Sequence, residues 1–264
     1  MAVEAVRTVR ADENYGDVDI AKVASLFADP ARARILEALG DGRSLAASVL
    51  ASEAGVSAPA TSAHLNKLRE AGLVEVERSG RHRFYRMAGP EVSGVLEALA
   101  TIAEPTPVRS LRESTKAKAL RSARSCYDHL AGRLGVAVTE ALLQRDALVR
   151  TDGGDDTRRR PEDKLSTRMS DHPYRLGPRV YDVFGTLDVD LDRLLSRPAR
   201  SRPLLRFCVD WSEQRHHLAG ALGAELFTAM VDNRWLVRAR DHRAVRLTDE
   251  GREALHDRLG VEAP

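Results

Sequence analysis

The sequence contains few of the features that mark secreted and membrane proteins. Two cysteines among 264 residues are too few for a disulfide framework and fit a reducing cytosol better. The N-terminal segment has no apolar core of signal-peptide length, and no stretch approaches the roughly 20 apolar residues of a membrane span. We therefore predict a soluble, cytoplasmic protein without a membrane partner.

The charge balance gives little indication of a partner. Lysine and arginine number 41 against 39 acidic residues, for a net charge of +2, so an argument for nucleic-acid binding has to be local rather than global. Aromatic residues make up only 5% of the chain, and the cores must be built mainly from leucine, valine and alanine. The length and composition predict two or three small cores.

The first part of the chain has the pattern of a winged helix-turn-helix. After residues 1–16, which we expect to be a flexible tail, apolar residues at helical spacing predict two helices. Gly55 marks a turn between two further short helices, and Ser57 is a good N-cap for the second of them. A hairpin with a turn at Gly80 and a last helix follow. This order predicts a winged-helix domain over residues 17–104.

The remainder of the chain contains an internal repeat. Cys126 and Cys208 each begin a segment with the pattern C-x-D and then H-L-A-G-x-L-G, and patterns of a helix, two short strands and a closing helix follow each time. We predict a duplicated winged-helix-like unit. The predicted fold class is mainly α with short β-hairpin wings (α+β), in three winged-helix-like units. The predicted boundaries are 105–119 for a linker and the start of a basic helix, 120–192 and 204–262 for the repeats, and 151–173 for a mobile insert in the first repeat.

Several motifs of the first domain occur together in one order and spacing. They are LFADPARARIL at residues 26–36, the pattern V-S-x-P-A-x-S-x-H-L-x-x-L-R-x-A-G-L-V at residues 56–74, and Gly80-Arg81 with Tyr85-Arg86 in the hairpin. With these motifs, residues 17–104 resemble the ArsR/SmtB family of bacterial winged-helix transcription regulators. The resemblance implies a homodimer, built from the first and last helices of the domain. It also implies that two recognition helices enter successive major grooves of double-stranded operator DNA.

The chemistry of the predicted recognition helix and wing is compatible with that partner. A helix that starts at Ser57 directs free N–H groups toward a phosphate, and basic residues near the hairpin tip can neutralise phosphates or enter a minor groove. Ala58 and Ala63 stand where the family often has long polar side chains, so base recognition has to rely on other residues and on DNA shape. The candidate DNA-contacting residues are Ser57, Thr61, Ser62, His64, Asn66, Lys67, Arg78, Arg81, His82 and Arg83.

The repeats contain candidate effector ligands. The family resemblance implies release of DNA on binding a metal ion, on thiol oxidation or on binding another small signal, but the family's best-known metal sites do not carry over to this sequence. On a helix, Cys126 and His129 would share a face, and Cys208, Asp210 and His217 form a second set. If the repeats pack about a pseudo-twofold axis, the cysteines and histidines would form a Cys₂His₂ set suited to zinc or another borderline metal.

Other interpretations of the same segments are open. The two cysteines could form a disulfide or polysulfide switch if their Cα atoms lie within about 7 Å. The H-L-A-G-x-L-G motif could serve close packing alone. A small organic ligand could instead bind between the repeats. The aromatic residues that could line its pocket are Tyr127, Phe207, Trp211 and Trp235.

These observations predict a sequence-specific DNA-binding transcriptional regulator, a dimeric repressor whose C-terminal region responds to an effector. No cofactor is required for this function. One alternative is a winged-helix scaffold, chromosomal or for protein interaction, that has no effector. Another is a thiol-dependent enzyme with Cys126 and His129 as nucleophile and base. The enzyme is disfavoured because no oxyanion signature, glycine-rich phosphate loop or paired catalytic carboxylates accompany the thiol.

Overall fold

The computed structural model describes residues 18–80, 82–104, 107, 110–160, 163, 172–196, 202–240 and 242–262. The predicted tail at residues 1–16 therefore lies outside the described residues. Helices and short antiparallel strands alternate along the described chain. None of the helices in these ranges is both long enough and apolar enough to cross a membrane.

The N-terminal unit is a winged helix-turn-helix, as predicted. Its helices are α1 Ile20–Phe27, α2 Pro30–Ala38, α3 Ala47–Ala54, α4 Ala58–Glu70 and α5 Pro90–Ile102, and its strands are β1 Leu45–Ala46, β2 Val74–Ser79 and β3 His82–Met87. The strands form one sheet in the order β1-β3-β2. Gly55 ends α3 with a left-handed backbone (φ 69°), which glycine adopts without steric cost. Leucines of α2, α3 and α4 fill the core of this unit.

Helix α6, Leu111–Ser122, leads from this unit into the rest of the chain. Ser110 caps its N-terminus by accepting a hydrogen bond from the Glu113 backbone N–H. On its side, Lys116 forms an ion pair with Glu53 of α3. The predicted basic helix is thus present, and it contacts the winged-helix unit.

The two predicted repeats have a similar order of elements, except that the first of them ends in two helices rather than one. The middle unit contains β4 Arg124–Cys126, β5 His129–Ala131, α7 Gly132–Gln144, β6 Leu148–Arg150, β7 Tyr174–Leu176, α8 Val180–Thr186 and α9 Leu191–Leu195. The last unit contains β8 Arg206–Val209, β9 His216–Ala219, α10 Gly220–Asp232, β10 Leu236–Arg238, β11 Val245–Leu247 and α11 Asp249–Leu259. In each unit a long helix is followed by two short antiparallel strands and then by a helix. A hairpin precedes the long helix in both.

The hairpins correct one expectation from the sequence. Cys126 and His129 do not share a helix face, because they are cross-strand partners in the β4–β5 hairpin. Tyr127, in the turn between them, has a φ of 60°, and Gly132 has a φ of 79°. The value for Tyr127 lies in the left-handed region and interrupts any right-handed helix between Cys126 and His129, whereas Gly132 lies after the hairpin, at the start of α7.

The two units are packed reciprocally into one core. Helix α7 packs on β9 of the last unit, and α10 packs on β5 of the middle unit. The Leu218 backbone N–H donates to the Thr139 hydroxyl at 2.9 Å, which joins β9 to α7. Buried leucines, valines and phenylalanines of both units form a single hydrophobic cluster. Neither unit therefore has a separate core.

The first glycine of the H-L-A-G-x-L-G motif has the same structural role in both repeats. Gly132 and Gly220 begin α7 and α10 with φ values of 79° and 78°. A Cβ at these positions would lie 2.9 Å from the Arg121 carbonyl oxygen and 2.6 Å from the Leu204 carbonyl oxygen. The glycines are thus needed both for the backbone conformation and for the close approach of the preceding chain.

The insert at residues 151–173 is not a free loop over the part that the structure describes. Thr157 and Asp163 are buried. The Thr157 carbonyl accepts a hydrogen bond from the His216 backbone N–H at 2.7 Å. The Asp163 carboxylate lies 2.9 Å from His216 Nε2. These polar residues find partners inside the last unit, which is why a segment with few apolar residues packs there.

We predict that Gly220→Ala lowers the free energy of unfolding by about 2 to 4 kcal/mol, because left-handed strain and a clash with backbone add together. Gly185→Ala is the matched control. Gly185 lies in the exposed part of α8 and nothing lies within 4 Å of its added Cβ, so we expect a gain of about 0.5 kcal/mol from helix propensity. Urea unfolding followed by circular dichroism measures both changes. Equal stabilities of the two variants would contradict this account of the motif.

Candidate functional site

Helix α4 presents one polar face outside the core. Ser57 caps it by accepting a hydrogen bond from the Ala60 backbone N–H at 3.4 Å, and Pro59 occupies the first turn. Leu65 and Leu68 are fully buried. The residues exposed on the opposite side are Ser57, Ala58, Pro59, Ser62, Ala63, Asn66, Lys67, Arg69 and Glu70.

Two predicted DNA-contacting residues of α4 stand apart from that face. Thr61 is only 1% exposed, and its hydroxyl donates to the Ser57 carbonyl at 2.9 Å. Its predicted role in DNA contact is therefore wrong, because the side chain faces the core and serves the first helical turn. His64 is half-buried, with Nδ1 3.8 Å from Asp29 Oδ1. Its ring is thus held at the edge of the exposed face.

The wing carries exposed basic side chains near its tip. Strands β2 and β3 pair along their length, with Arg78 opposite Arg83 and Ser79 opposite His82. Arg78, His82 and Arg83 are all exposed, while Arg81 at the tip lies outside the described residues. Two arginines of like charge opposite each other repel in isolation, and a phosphate between or beside them removes that repulsion.

The second candidate site lies where the two repeated hairpins meet. Cys126 pairs with His129 across the first hairpin, and Cys208 pairs with His217 across the second. One ligand atom from each of these four residues lies within 4.8 Å of the others. The two imidazole rings are stacked, with centroids 5.2 Å apart. The structure thus brings together four of the five predicted effector residues.

Each histidine of this Cys–His cluster has a carboxylate beside one ring nitrogen. Asp128 Oδ1 lies 3.4 Å from His129 Nδ1, and Asp210 Oδ2 lies 3.7 Å from His217 Nδ1. Nε2 of both rings is buried and has no hydrogen-bond partner among the described residues. Asp210 was predicted as a ligand, but its carboxylate lies behind His217 and is not among the four grouped ligand atoms. Its oxygens accept hydrogen bonds from other donor groups.

Those donors make Asp210 the centre of a buried polar network. Its Oδ2 accepts hydrogen bonds from Arg124 Nη2 at 2.9 Å and from the Gly132 backbone N–H at 2.7 Å. Its Oδ1 accepts from the backbone and side chain of Ser212. Burial opposes ionisation, but the Arg124 guanidinium and the donated hydrogen bonds outweigh it and hold the pKa of Asp210 well below its ordinary value. The carboxylate is therefore charged under all mild conditions.

The same arginine reaches the winged-helix unit. Arg124 Nη2 lies 3.6 Å from Glu97 Oε2 on α5, and both side chains have no exposed surface. Glu97 also pairs with Arg243, which precedes β11 of the last unit. Burial opposes ionisation of Glu97, but Arg243 and then Arg124 lower its pKa below the ordinary value of 4.5. All three units thus meet at one buried ion cluster, Glu97–Arg124–Asp210–Arg243.

A cavity of about 370 Å³ opens beside the Cys–His cluster. Cys126, His129 and Cys208 line it, together with the first turn of α5. The thiol of Cys126 is buried, and its hydrogen bond with Cys208 together with that burial raises its pKa to about 12. Of the four aromatic residues suggested for an organic pocket, Tyr127 and Phe207 line this cavity, whereas Trp211 and Trp235 do not.

The comparisons with known proteins agree with the N-terminal architecture. A model described as a helix-turn-helix domain matches residues 27–77. The chain is 38% identical over 244 residues to the uncharacterized HTH-type transcriptional regulator YdfF of Bacillus subtilis (strain 168), an alignment that covers 92% of this chain and 98% of the relative. The chain belongs to the HTH-type transcriptional regulators. The regulator's similarity to YdfF extends far beyond its winged-helix unit.

The regulator is also similar to solved structures over its N-terminal part. NolR from Sinorhizobium fredii is 34% identical, with a TM-score of 0.30, and the match covers 33% of this chain and 85% of NolR. A homodimeric winged helix-turn-helix DNA-binding domain from Mycobacterium bovis is 31% identical, with a TM-score of 0.27 and coverage of 31% and 82%. The predicted winged-helix transcriptional regulator is confirmed by the family model and by YdfF.

Three residues at or next to the Cys–His cluster and the buried ion cluster were not predicted from the sequence. Asp128, beside His129, occupies the same place in the C-x-D pattern as Asp210, so the repeat itself was a usable signal. Arg124 stands two residues before Cys126, as Arg206 stands two residues before Cys208. Glu97 had no such signal, because its partners lie in other units.

We predict that Glu97→Gln lowers the free energy of unfolding at pH 7 by about 3 to 5 kcal/mol, because it removes the charge that Arg124 and Arg243 share inside the protein. A carboxyl with a lowered folded-state pKa stabilises above its unfolded pKa and loses that effect as pH falls through the folded value. The stability of the variant should therefore fall less steeply than that of the wild type below pH 4.5. Urea unfolding at a series of pH values measures this.

Glu253→Gln is the control for that variant. Glu253 is an exposed residue of α11, and its replacement should change stability by no more than about 0.5 kcal/mol. A loss for Glu97→Gln no larger than the control's would show that the buried cluster contributes little.

Proposed function

We propose that this regulator is a cytoplasmic dimeric repressor that binds operator DNA through α4 and the wing and responds to an effector through its C-terminal units. The observation that carries the proposal is that α4 keeps a polar face exposed and the wing keeps a pair of arginines exposed. A recognition helix has to leave one face free of the core, and a phosphate-binding wing has to keep its cations at the surface.

Exposed apolar side chains on α1 and α5 support the homodimer. Val18, Ile20 and Val23 are exposed at or before α1, and Val95, Leu99 and Ile102 are exposed on α5. Both helices pack against α2. Several large apolar side chains left exposed on two helices are typical of an association site. The ArsR/SmtB resemblance assigns the dimer interface to the same two helices.

The residue types indicate which exposed side chains can contact bases and which can contact phosphates. Asn66 is exposed on α4 and its amide can pair with an adenine edge, while Ser62 offers only a hydroxyl that already donates to the Ala58 carbonyl at 3.0 Å. Lys67, Arg78 and Arg83 can contact phosphates, which sets affinity and salt dependence rather than sequence preference. The exposed Ala63 provides only a methyl contact.

The position of α5 supports the response to an effector. Its exposed face is the proposed dimer surface, while its Glu97 is held by arginines of the other two units. A change in the C-terminal units that moves Arg124 would therefore act on the helix that sets the spacing of the two recognition helices. Allostery requires such a physical link between two distinct sites.

We predict that affinity for DNA from upstream of the regulator's own gene falls steeply between about 50 and 200 mM salt, because bound phosphates release counterions. Arg83→Gln should lower the slope of log affinity against log salt by about 1, and Asn66→Ala should cost about 1 to 3 kcal/mol on operator DNA alone. Fluorescence anisotropy with labelled operator and unrelated DNA measures both effects.

The matched control for the wing arginine is Arg252→Gln. Arg252 is exposed on α11, far along the chain from the wing, and its removal should leave the slope unchanged. An affinity that does not depend on salt would contradict the phosphate contacts. Equal binding to operator and unrelated DNA would favour the scaffold alternative.

We predict that Leu99→Asp shifts the regulator from dimer to monomer, because it places a charge in an apolar interface. Val237→Asp is the control, since Val237 is 42% exposed against 43% for Leu99 but lies on a strand of the last unit. Sedimentation velocity at micromolar concentration distinguishes the two. A Leu99→Asp variant that remains dimeric would place the interface elsewhere.

A further inference from the structure

The Cys–His cluster has the ligand set and spacing of a metal site. Four donor atoms from Cys126, His129, Cys208 and His217 lie within 4.8 Å of one another. A tetrahedral ion with ligand distances of about 2.0 to 2.3 Å needs donors roughly 3.3 to 3.8 Å apart. The donor atoms therefore need to approach one another by only about 1 to 1.5 Å to surround one ion.

The surroundings of the histidines favour an ion over a simple packing role. Nε2 of His129 and of His217 is buried and unpartnered within the described part of the chain, although buried polar atoms normally find partners. At Nδ1 each ring has a carboxylate at 3.4 or 3.7 Å. His129 therefore has the arrangement usual for metal-binding histidines, a carboxylate hydrogen-bonded to one ring nitrogen and a second nitrogen without a partner. At His217 the 3.7 Å separation is longer than a hydrogen bond, and both ring nitrogens lack a partner among the described residues.

The repeat makes the two halves of the cluster alike. Each hairpin contributes one cysteine, one histidine across the strand pair, and the aspartate two residues after the cysteine. Close packing alone would need the glycines of the motif, which the backbone conformations of Gly132 and Gly220 explain. It would not need a cysteine opposite a histidine in both hairpins.

We propose that Cys126, His129, Cys208 and His217 together bind one borderline divalent ion of the zinc class in a tetrahedral site that joins the two C-terminal units. Asp128 and Asp210 orient the histidines from outside the ligand shell. On binding, two S–H bonds are replaced by two metal–sulfur bonds; the two thiol protons leave to solvent, together with a proton from any imidazole that is doubly protonated before the ion binds. The cavity beside Cys126 and Cys208 is the entry path.

The ion's role as an effector rests on the proposed function, whereas its binding does not. Asp210 contacts both the His217 side of the cluster and Arg124, so occupancy can alter the buried ion cluster that holds α5. DNA affinity measured with and without the ion reports that role separately.

The test is a titration of the reduced, chelator-treated full-length regulator with Co²⁺, followed by displacement with Zn²⁺. We expect one equivalent of Co²⁺ to give the visible bands of a tetrahedral ion and a near-ultraviolet thiolate-to-cobalt band, and Zn²⁺ to abolish both. Cys126→Ser and Cys208→Ser should each reduce the thiolate band to about half, since one of two thiolates remains.

Asp128→Asn keeps all four ligands and tests the site without removing a thiol. We expect it to weaken Zn²⁺ binding about 10- to 100-fold in competition with a chromophoric chelator. The matched controls are Asp182→Asn and His256→Asn, at exposed positions on α8 and α11, and neither should change the affinity. If a cysteine variant fails to fold by circular dichroism, the Asp128→Asn measurement decides.

Three results would overturn the proposal. They are the absence of Co²⁺ and Zn²⁺ binding by the reduced regulator, a thiolate band unchanged in both serine variants, and an affinity unchanged in Asp128→Asn. The titration contains no DNA, so a regulator that binds the ion but not operator DNA would contradict the proposed function only. One that binds operator DNA but neither ion would contradict the metal site only.

Discussion

The buried guanidinium of Arg124 is the interaction on which the arrangement of the molecule depends. It lies between carboxylates of the first and last units, Glu97 and Asp210, and belongs itself to the first hairpin of the middle unit. A guanidinium without exposed surface is tolerable only with partners of opposite charge and with acceptors for its N–H groups. Removing any one member leaves the others uncompensated, so the cluster specifies how the three units meet.

Around that cluster, the C-terminal units form a single body rather than two domains. The long helix of each unit packs on the hairpin of the other, and Leu218 of one unit bonds to Thr139 of the other. Such reciprocal packing explains why the cysteines and histidines of both hairpins converge. Asp210 connects the two clusters, because it lies next to His217 of the Cys–His cluster and pairs with Arg124 of the buried ion cluster.

The winged helix was predictable because its signals are local. Gly55 and Gly80 require turns where they stand, and Ser57 caps the helix that follows. The Cys₂His₂ grouping was also predictable, although Cys126 and His129 were predicted on a helix and lie in a hairpin. Residues three apart share a helix face, but they are also cross-strand partners in a hairpin with a two-residue turn, and spacing alone does not separate the two. The positive φ of Tyr127 decided the matter, and nothing in its residue type indicated that.

The remaining features depend on contacts between distant parts of the chain. The pairing of Glu97 with Arg243 spans 146 residues, and the packing of Thr157 against His216 depends on the last unit being in place. Thr61 was misassigned because a threonine on α4 has the same polarity whether it faces outward or, as here, turns inward to bond the Ser57 carbonyl. Helical spacing places it four residues before Leu65 and seven before Leu68, on the buried face, so periodicity was a usable signal that its polarity outweighed.

The two aspartates of the repeated hairpins differ in their surroundings despite their matching positions. Asp128 is partly exposed and pairs with Arg202, while Asp210 is sealed within the junction of the units. Salt in the solvent can screen the pair of Asp128 with Arg202 but hardly reaches Asp210, so the two hairpins should respond differently to ionic strength.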